Sequence, residues 1–345
     1  MMRIGLEYEF TLIDNDNIYL DFENTKFDTF QKIVEDFPYF EKDDEIFECK
    51  SLEKRPKRCY VEGFERYDNN GQLLETTPKG LEVRTLPHAS IDAIVEEFDS
   101  TFTHLAKIAK NYNFFPISMG YHPYKSSMLF SPSLNQTEVA LRTNEMFEIA
   151  IKAMMWHSIH VNISISDFSK IQMDDFLQKL NYYAPFIIPF SFSSPFYQGK
   201  MFKGLSYRTY VRSQIRKVVQ MTNRKGVDVI EFMGFDSFYD MRLLKALLYL
   251  IQGLLSDVTL KGRALVQDTD LLVKASLKGF EDDTLKQGGM IVLDAVKAVL
   301  KNEGKALEIL GDMLLSKDSY ARRMKEAYQK TGNIIRSISD QYDRL

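Results

Sequence analysis

Glu7 and Glu9 stand two residues apart in Gly5-Leu6-Glu7-Tyr8-Glu9-Phe10. The stretch has the period of a β-strand, with Leu6, Tyr8 and Phe10 on one face and both carboxylates on the other. Side chains two apart on a strand are separated by about 7 Å at the backbone. Two like charges at that spacing repel by about 0.6 kcal/mol in water and about 2.4 kcal/mol at an effective dielectric of about 20. On a solvated face the pair requires no answer. In a cleft it requires a positive partner, for which a divalent cation is the natural candidate.

Three later segments show the same design. Glu82 and Arg84 oppose Leu81 and Val83. His160, Asn162 and Ser164 oppose Ile159, Val161 and Ile163. Glu231 sits among apolar residues in Asp228-Val229-Ile230-Glu231-Phe232. A solvated face or a salt bridge would explain any one of these acids alone. Together they describe a sheet packed on helices by one face and lined by Glu7, Glu9, Glu82, His160 and Glu231 on the other. Oxygen ligands with a single imidazole suit Mg²⁺ or Mn²⁺ better than zinc. His157 has the opposite parity and reads as structural. His122, before Pro123, fits either turn packing or site lining. Arg208 and Arg212 are four apart and would share one helix face, where a salt-bridged surface pair is the plain reading. Ser194 has no evident base and reads as a loop-shaping residue.

Periodicity locates the elements that must position these groups. Strands are expected over residues 3–13, 80–86, 115–121, 157–166 and 227–233. Helices are expected over 23–36, 91–111, 136–155, 172–184, 239–256, 287–302, 304–315 and 317–337. The helix at 91–111 is the clearest, with Ile91, Ile94, Val95, Phe98, Phe102, Leu105 and Ile108 as its apolar stripe and Ser90 as N-cap. Residues 40–80 read as loop with hairpin pieces and a turn at Asn69-Asn70-Gly71. The strands lack regular alternation with helices, so the class is α+β. Without repeats or long linkers, residues 1–345 read as one domain with a helical C-terminal part over about 239–345.

Composition narrows the function. With 45% hydrophobic residues, the 345-residue chain can bury a large core. A net charge of −4 disfavours nucleic acid as a partner. The one basic run, Lys54 to Arg58, reads as a solvated loop. Cys49 and Cys59 are too few for a disulfide framework and read as free thiols, bystanders to the chemistry. The most apolar run, Ala246 to Leu255, is too short to span a bilayer. The expectation is a soluble cytoplasmic protein without a signal segment.

Gly5-Leu6-Glu7-Tyr8-Glu9-Phe10 also resembles the opening Gly-x-Glu-x-Glu-Phe of the carboxylate–amine ligases, bacterial relatives of glutamate–cysteine ligase (glutamate–cysteine ligase family 2). Further matches follow in order. Gly120-Tyr121-His122-Pro123-Tyr124 resembles a Gly-x-His-Pro-aromatic segment, and His157-Ser158-Ile159-His160-Val161-Asn162-Ile163 a His-Val-His-Val strand. Ser193-Ser194-Pro195-Phe196-Tyr197-Gln198-Gly199 with Ser206-Tyr207-Arg208 resembles Asn-Ser-Pro-Phe-x-x-Gly…Ser-Tyr-Arg. Ile230-Glu231 resembles a late Ile-Glu-x-Arg strand. The resemblance covers about residues 3–280.

That resemblance implies a glutamine synthetase-like fold, a curved and mainly antiparallel sheet forming a funnel with helices on its outer face. It implies an ATP- and Mg²⁺-dependent ligase that joins a small acid to an amine through an acyl phosphate. It assigns Glu7, Glu9, Glu82, His160 and Glu231 to metal, Arg208, Glu82 and Arg84 to catalysis, and Arg208, Lys274, Lys278 and Asn162 to nucleotide binding. A homodimer is compatible with it. Met233 stands where the family carries an arginine, and Lys274-Ala275-Ser276-Leu277-Lys278-Gly279 replaces Arg-Ala-x-Arg-Tyr-Gly. A lysine cannot grip phosphate with a guanidinium fork. Two other readings therefore stay open. One is a catalytically lapsed nucleotide-binding or scaffold protein, and the other a phosphotransferase on a guanidino or carboxylate substrate.

Overall fold

Tyr8 and Phe10, the apolar side of the opening strand, stack on each other at 4.7 Å and meet Phe98 at 4.6 and 6.2 Å. This aromatic contact anchors the long helix to the centre of a sheet. The computed structural model describes residues 2–48, 54–142, 144–165 and 169–341. Cys49 lies outside the described residues, whereas Cys59 is buried.

The strands, in chain order, are β1 (Met2–Asp14), β2 (Tyr19–Leu20), β3 (Cys59–Tyr67), β4 (Leu73–Arg84), β5 (Phe114–Ile117), β6 (Ser158–Ile165), β7 (Phe196–Tyr197), β8 (Lys200–Met201), β9 (Val219–Arg224) and β10 (Val227–Asp236). The main sheet runs β3-β4-β1-β6-β10-β9, every pair antiparallel, with β2 and β5 pairing with β1. It curls into a half-barrel, the glutamine synthetase-like fold expected. Its concave face carries the charged residues and its convex face the core.

The first helices are α1 (Phe27–Asp36), α2 (Asp43–Ile46), α3 (Ile91–Asn111), α4 (Gln136–Ala140), α5 (Asn144–Ala153), α6 (Lys170–Ile187) and α7 (Tyr207–Arg212). The C-terminal ones are α8 (Met241–Ser256), α9 (Thr269–Lys278), α10 (Asp283–Val299), α11 (Gly304–Ser316), α12 (Tyr320–Thr331) and α13 (Ile334–Ser339). Ser90 caps α3 by accepting from the Ala93 amide, and the expected stripe of Ile91, Ile94, Phe98, Phe102 and Leu105 is buried. Helices α3 and α6 pack on the sheet, and α8 links α3 to α10 and α11. Among the described residues no helix is long and apolar enough to cross a membrane.

Several expected boundaries move. Residues 40–80 hold β3 and most of β4, a hairpin whose polar strands mask their period, with Gly71 at φ +77° in the expected turn. The stretch 136–155 contains two helices rather than one. The stretch 317–337 breaks at Gly332, φ +64°, after which Asn333 caps α13. The 115–121 strand ends at Ile117. The basic run is not a free loop. Lys57 donates to the carbonyls of Val34, Glu35 and Phe37 at the C-terminus of α1, where a cation complements the helix dipole. Arg58 pairs with Asp43 at 2.9 Å and Glu97 at 3.1 Å.

Removing the Phe98 ring should leave a cavity under β1. Phe98→Ala is expected to cost roughly 3–5 kcal/mol in urea unfolding, while Leu265→Ala, at an exposed side chain, should change stability by at most about 0.5 kcal/mol.

Candidate functional site

Sheet register brings the four motif strands to one place. Glu9 lies opposite Glu82 across β1 and β4, and Glu7 opposite His160 across β1 and β6. Glu231 of β10 pairs with Asn162, one step of the same parity from His160. Gly80 makes the β1–β4 approach possible, because a Cβ there would meet the Phe10 carbonyl oxygen at 2.1 Å. The concave face is enclosed, since Glu7, Glu9, Glu82 and Glu231 are all less than a tenth exposed.

Two ligand clusters result. In one, Glu7, His160 and Glu231 each offer an atom within 4.8 Å of the others. His160 Nδ1 lies 3.2 Å from Glu231 Oε1 and 3.4 Å from Glu7 Oε2. Its Nε2 is 2.9 Å from Ser158 Oγ, which donates to Glu9 Oε2 at 3.0 Å. That second bond fixes the ring orientation, as supporting shells do for ligating histidines. Two carboxylates and one imidazole, oriented this way, fit Mg²⁺ or Mn²⁺. In the other cluster, Glu9, Glu62 and Glu82 come within the same limit, and Lys79 Nζ lies 2.8 Å from Glu9 Oε1.

Both clusters line one cavity of about 230 Å³, together with Trp156, Arg212, Arg216 and Arg224. A 520 Å³ cavity adjoins it through Glu7 and Arg224 and is lined by Ile46, Phe47, Arg84, Asn162 and Lys225 among others. A 540 Å³ cavity adjoins it through Tyr60, Glu62, Lys79 and Arg216.

Arg208 and Arg212 are not a surface pair; both are buried on α7. Arg208 lies outside the cavity lining. Its guanidinium donates to the carbonyls of Met233 at 2.8 Å and Gly234 at 3.1 Å and pairs with Asp236 at 3.4 Å. These carbonyls belong to a register shift between Phe232 and Phe235, where bulging leaves ladder groups unpaired. Arg212, one turn on, reaches the cavity and packs its Nη2 3.4 Å from Met233 Sδ. Among the described residues, its Nη1 and the Trp156 Nε1 are buried donors without a hydrogen-bond partner. Buried donors are rarely left so.

Residues 3–218 match the model of glutamate–cysteine ligase family 2. The chain belongs to that family. A curated protein of Ruegeria pomeroyi, provisionally named glutamate–cysteine ligase 2, is 30% identical over 128 residues, which is 37% of this chain and 32% of that protein. The bifunctional glutathione synthetase of Pasteurella multocida matches 99% of this chain and 52% of its own, with a TM-score of 0.61 at 13% identity. The ligase PafA, in its complex with the prokaryotic ubiquitin-like protein Pup, matches 97% of this chain and 70% of its own, with a TM-score of 0.51 at 10% identity. These two likenesses are of fold. The match spans about a third of the curated relative and about half of the bifunctional synthetase.

Within this family member, the other expected residues lie as follows. Asn162 and Arg84 line the 520 Å³ cavity, where Asn162 Oδ1 has no partner among the described residues. Arg84 is tied to the Lys57 carbonyl at 2.8 Å and lies over the Tyr60 and Phe47 rings. Lys274 pairs with Asp282 at 3.0 Å, and Lys278 is exposed at the end of α9; neither lines these cavities. His122 is buried, donates from Nε2 to Asp21 at 2.9 Å, and accepts the Tyr124 and Lys125 amides at Nδ1, so it shapes the turn. His157 bonds the Tyr19 hydroxyl at 3.2 Å. Ser194 bonds Asp236 at 2.7 Å.

Sequence reasoning missed Glu62, Lys79, Arg216 and Arg224. Glu62 shares a face with Tyr60 on β3, a strand without the apolar contrast that periodicity detects. Lys79 is hidden between Pro78 and Gly80. Arg224 ends β9, an exposed edge strand without apolar alternation, where it clamps Glu7 and lies 3.5 Å from Glu231.

The electrostatics follow from this crowding. Burial opposes the Glu7 carboxylate, but hydrogen bonds from His160 and Arg224 outweigh it and hold the pKa below the usual range. Burial likewise opposes Glu9, which Lys79 and His160 bring down to about 2. Burial opposes a charge on His160, yet Glu231 and Glu7 raise its pKa to about 9. Its stabilisation of the metal-free protein is therefore full below about pH 6.5 and lost as pH rises through about 9. Histidine proton NMR of that protein should show His160 titrating near 9, and Glu231→Gln should move it down toward 6.5.

Proposed function

We propose that the protein is an ATP- and Mg²⁺-dependent carboxylate–amine ligase. The observation that carries this reading is the pairing of an oxygen-rich ligand cluster with Arg212 in the same cavity, where its buried Nη1 has no partner among the described residues. Phosphoryl transfer between two anions needs dense positive charge at the reacting oxygens. The arginine missing at Met233 is made good in space by Arg212, which packs on the Met233 sulfur. This favours a working site over a lapsed one.

Glu7, His160 and Glu231 would hold the divalent ion, which when bound supplies charge neutralisation on phosphate oxygens. Arg212 and Trp156 donate to the transferring phosphoryl group, and Ser158 keeps His160 aligned. The 520 Å³ cavity, with apolar walls beside Arg84, Arg224 and Lys225, takes the nucleotide. The 540 Å³ cavity, with Lys79, Arg142 and Arg216, takes the acid and the amine. A carboxylate oxygen attacks the γ-phosphorus and ADP leaves. The amine nitrogen then attacks the acyl carbon, phosphate leaves, and an amide forms.

The test is a panel of small acids, glutamate first, against amino acids and amines, with ADP and amide measured together. ADP release that requires both partners and matches amide formation is expected. ADP release indifferent to the amine, or a stable phosphorylated acid, would contradict the ligase. Arg212→Ala should lower kcat by roughly 10²–10³-fold with the unfolding midpoint little changed. Arg208→Ala should lower the midpoint, because it strips the partners from the Met233 and Gly234 carbonyls.

A further inference from the structure

Lys79 stands inside a cluster that could itself hold a divalent ion. Its Nζ is 2.8 Å from Glu9 Oε1, 3.8 Å from Glu62 Oε1 and 3.4 Å from the Ala153 carbonyl oxygen. The residue is 5% exposed, and its head is held at the cavity wall between Glu9, Glu62 and the Ala153 carbonyl. The backbone holds it there. Pro78 restricts the chain on one side, and Gly80 on the other presses against the Phe10 carbonyl. Glu9 is equally committed, because its second oxygen accepts the Ser158 amide at 2.6 Å and the Ser158 hydroxyl at 3.0 Å.

A divalent ion among Glu9, Glu62 and Glu82 would need carboxylate oxygens at roughly 2.0–2.6 Å. Its approach to Glu9 Oε1 would bring it against an ammonium already bonded to that atom. Two cations this close, in an enclosed cavity, repel strongly. In the Glu7–His160–Glu231 cluster the bonded cation is Arg224. Arg224 reaches it from the mouth with a 43% exposed side chain and can withdraw into solvent.

We propose that Lys79 is a built-in cation that replaces a divalent ion in the Glu9–Glu62–Glu82 cluster, leaving Glu7–His160–Glu231 as the divalent site. The proposal rests on the reading of the cavity as a metal site. A fixed ammonium differs from an ion in its effects. It cannot dissociate, it carries one charge instead of two, and it donates hydrogen bonds toward the cavity that takes the acid. The carboxylates on the acid side are thus held in place when divalent ions are scarce.

Mn²⁺ binding to the full-length protein without nucleotide, counted by electron paramagnetic resonance of the free ion, tests this. Wild type should bind one Mn²⁺ per chain. Lys79→Ala should bind one more, Lys79→Arg should stay at the wild-type number, and adding Glu62→Gln to Lys79→Ala should remove the gained ion. An equal count in wild type and Lys79→Ala overturns the proposal. So does a wild-type count of two, which needs no variant and stands even if Lys79→Ala fails to fold. A wild-type count of zero overturns the Glu7–His160–Glu231 site, while a gain of one in Lys79→Ala still supports the role of Lys79. Loss of amine-dependent ADP release bears on the ligase reading and leaves the ion count unaffected.

Discussion

Five carboxylates, Glu7, Glu9, Glu62, Glu82 and Glu231, are held on one enclosed concave surface. Their mutual repulsion is the constraint on which the rest of the molecule depends. Strand geometry prevents them from moving apart, because the same residues alternate with Leu6, Tyr8, Phe10, Leu81 and Val83 in the core. Rotating the acids away would expose the aromatic stack on Phe98. Compensation therefore comes from cations. Lys79 comes from β4, Arg224 from the edge strand β9, and Arg212 from α7. The protein without ions is already partly neutralised, and each of these cations has a different freedom to leave.

The C-terminal end of β10 shows how a helix is placed to serve that surface. The register shift between Phe232 and Phe235 frees the Met233 and Gly234 carbonyls. Arg208 satisfies them and draws α7 against the sheet. The next turn of α7 then presents Arg212 to the cavity. The residue that organises the bulge and the residue that faces the cavity are four apart on one helix. The motif resemblance points to the first, and the geometry assigns the cavity to the second. Substitutions at the two positions should consequently differ in kind.

Much of this was legible in the sequence. The parity of Glu7, Glu9, Glu82, His160 and Glu231 follows from alternation alone, and the antiparallel sheet keeps it because strand side chains cannot change face without a bulge. The helix at 91–111 was legible from its stripe and cap. What was hidden shares a physical cause. β3 and β9 carry charges on the site face and lack the apolar contrast that periodicity detects. Lys79 lies between a proline and a glycine that look like a turn, although Gly80 is there to let two strands approach. Lys274 and Lys278 matched a basic pattern, but α9 turns them away from the cavities. Arg212 acquires its role only from the distance between helix and bulge, which no spacing in the chain encodes.

A crystal structure with Mn²⁺ and a non-hydrolysable ATP analogue, using the anomalous signal of manganese, tests the central claim most directly. A manganese peak bounded by Glu7, His160 and Glu231 is expected, with the terminal phosphate within hydrogen-bond distance of Arg212 and the nucleoside in the cavity of Phe47 and Asn162. A manganese peak away from those three side chains, or a terminal phosphate on Arg208, Lys274 or Lys278 with Arg212 uninvolved, would contradict it.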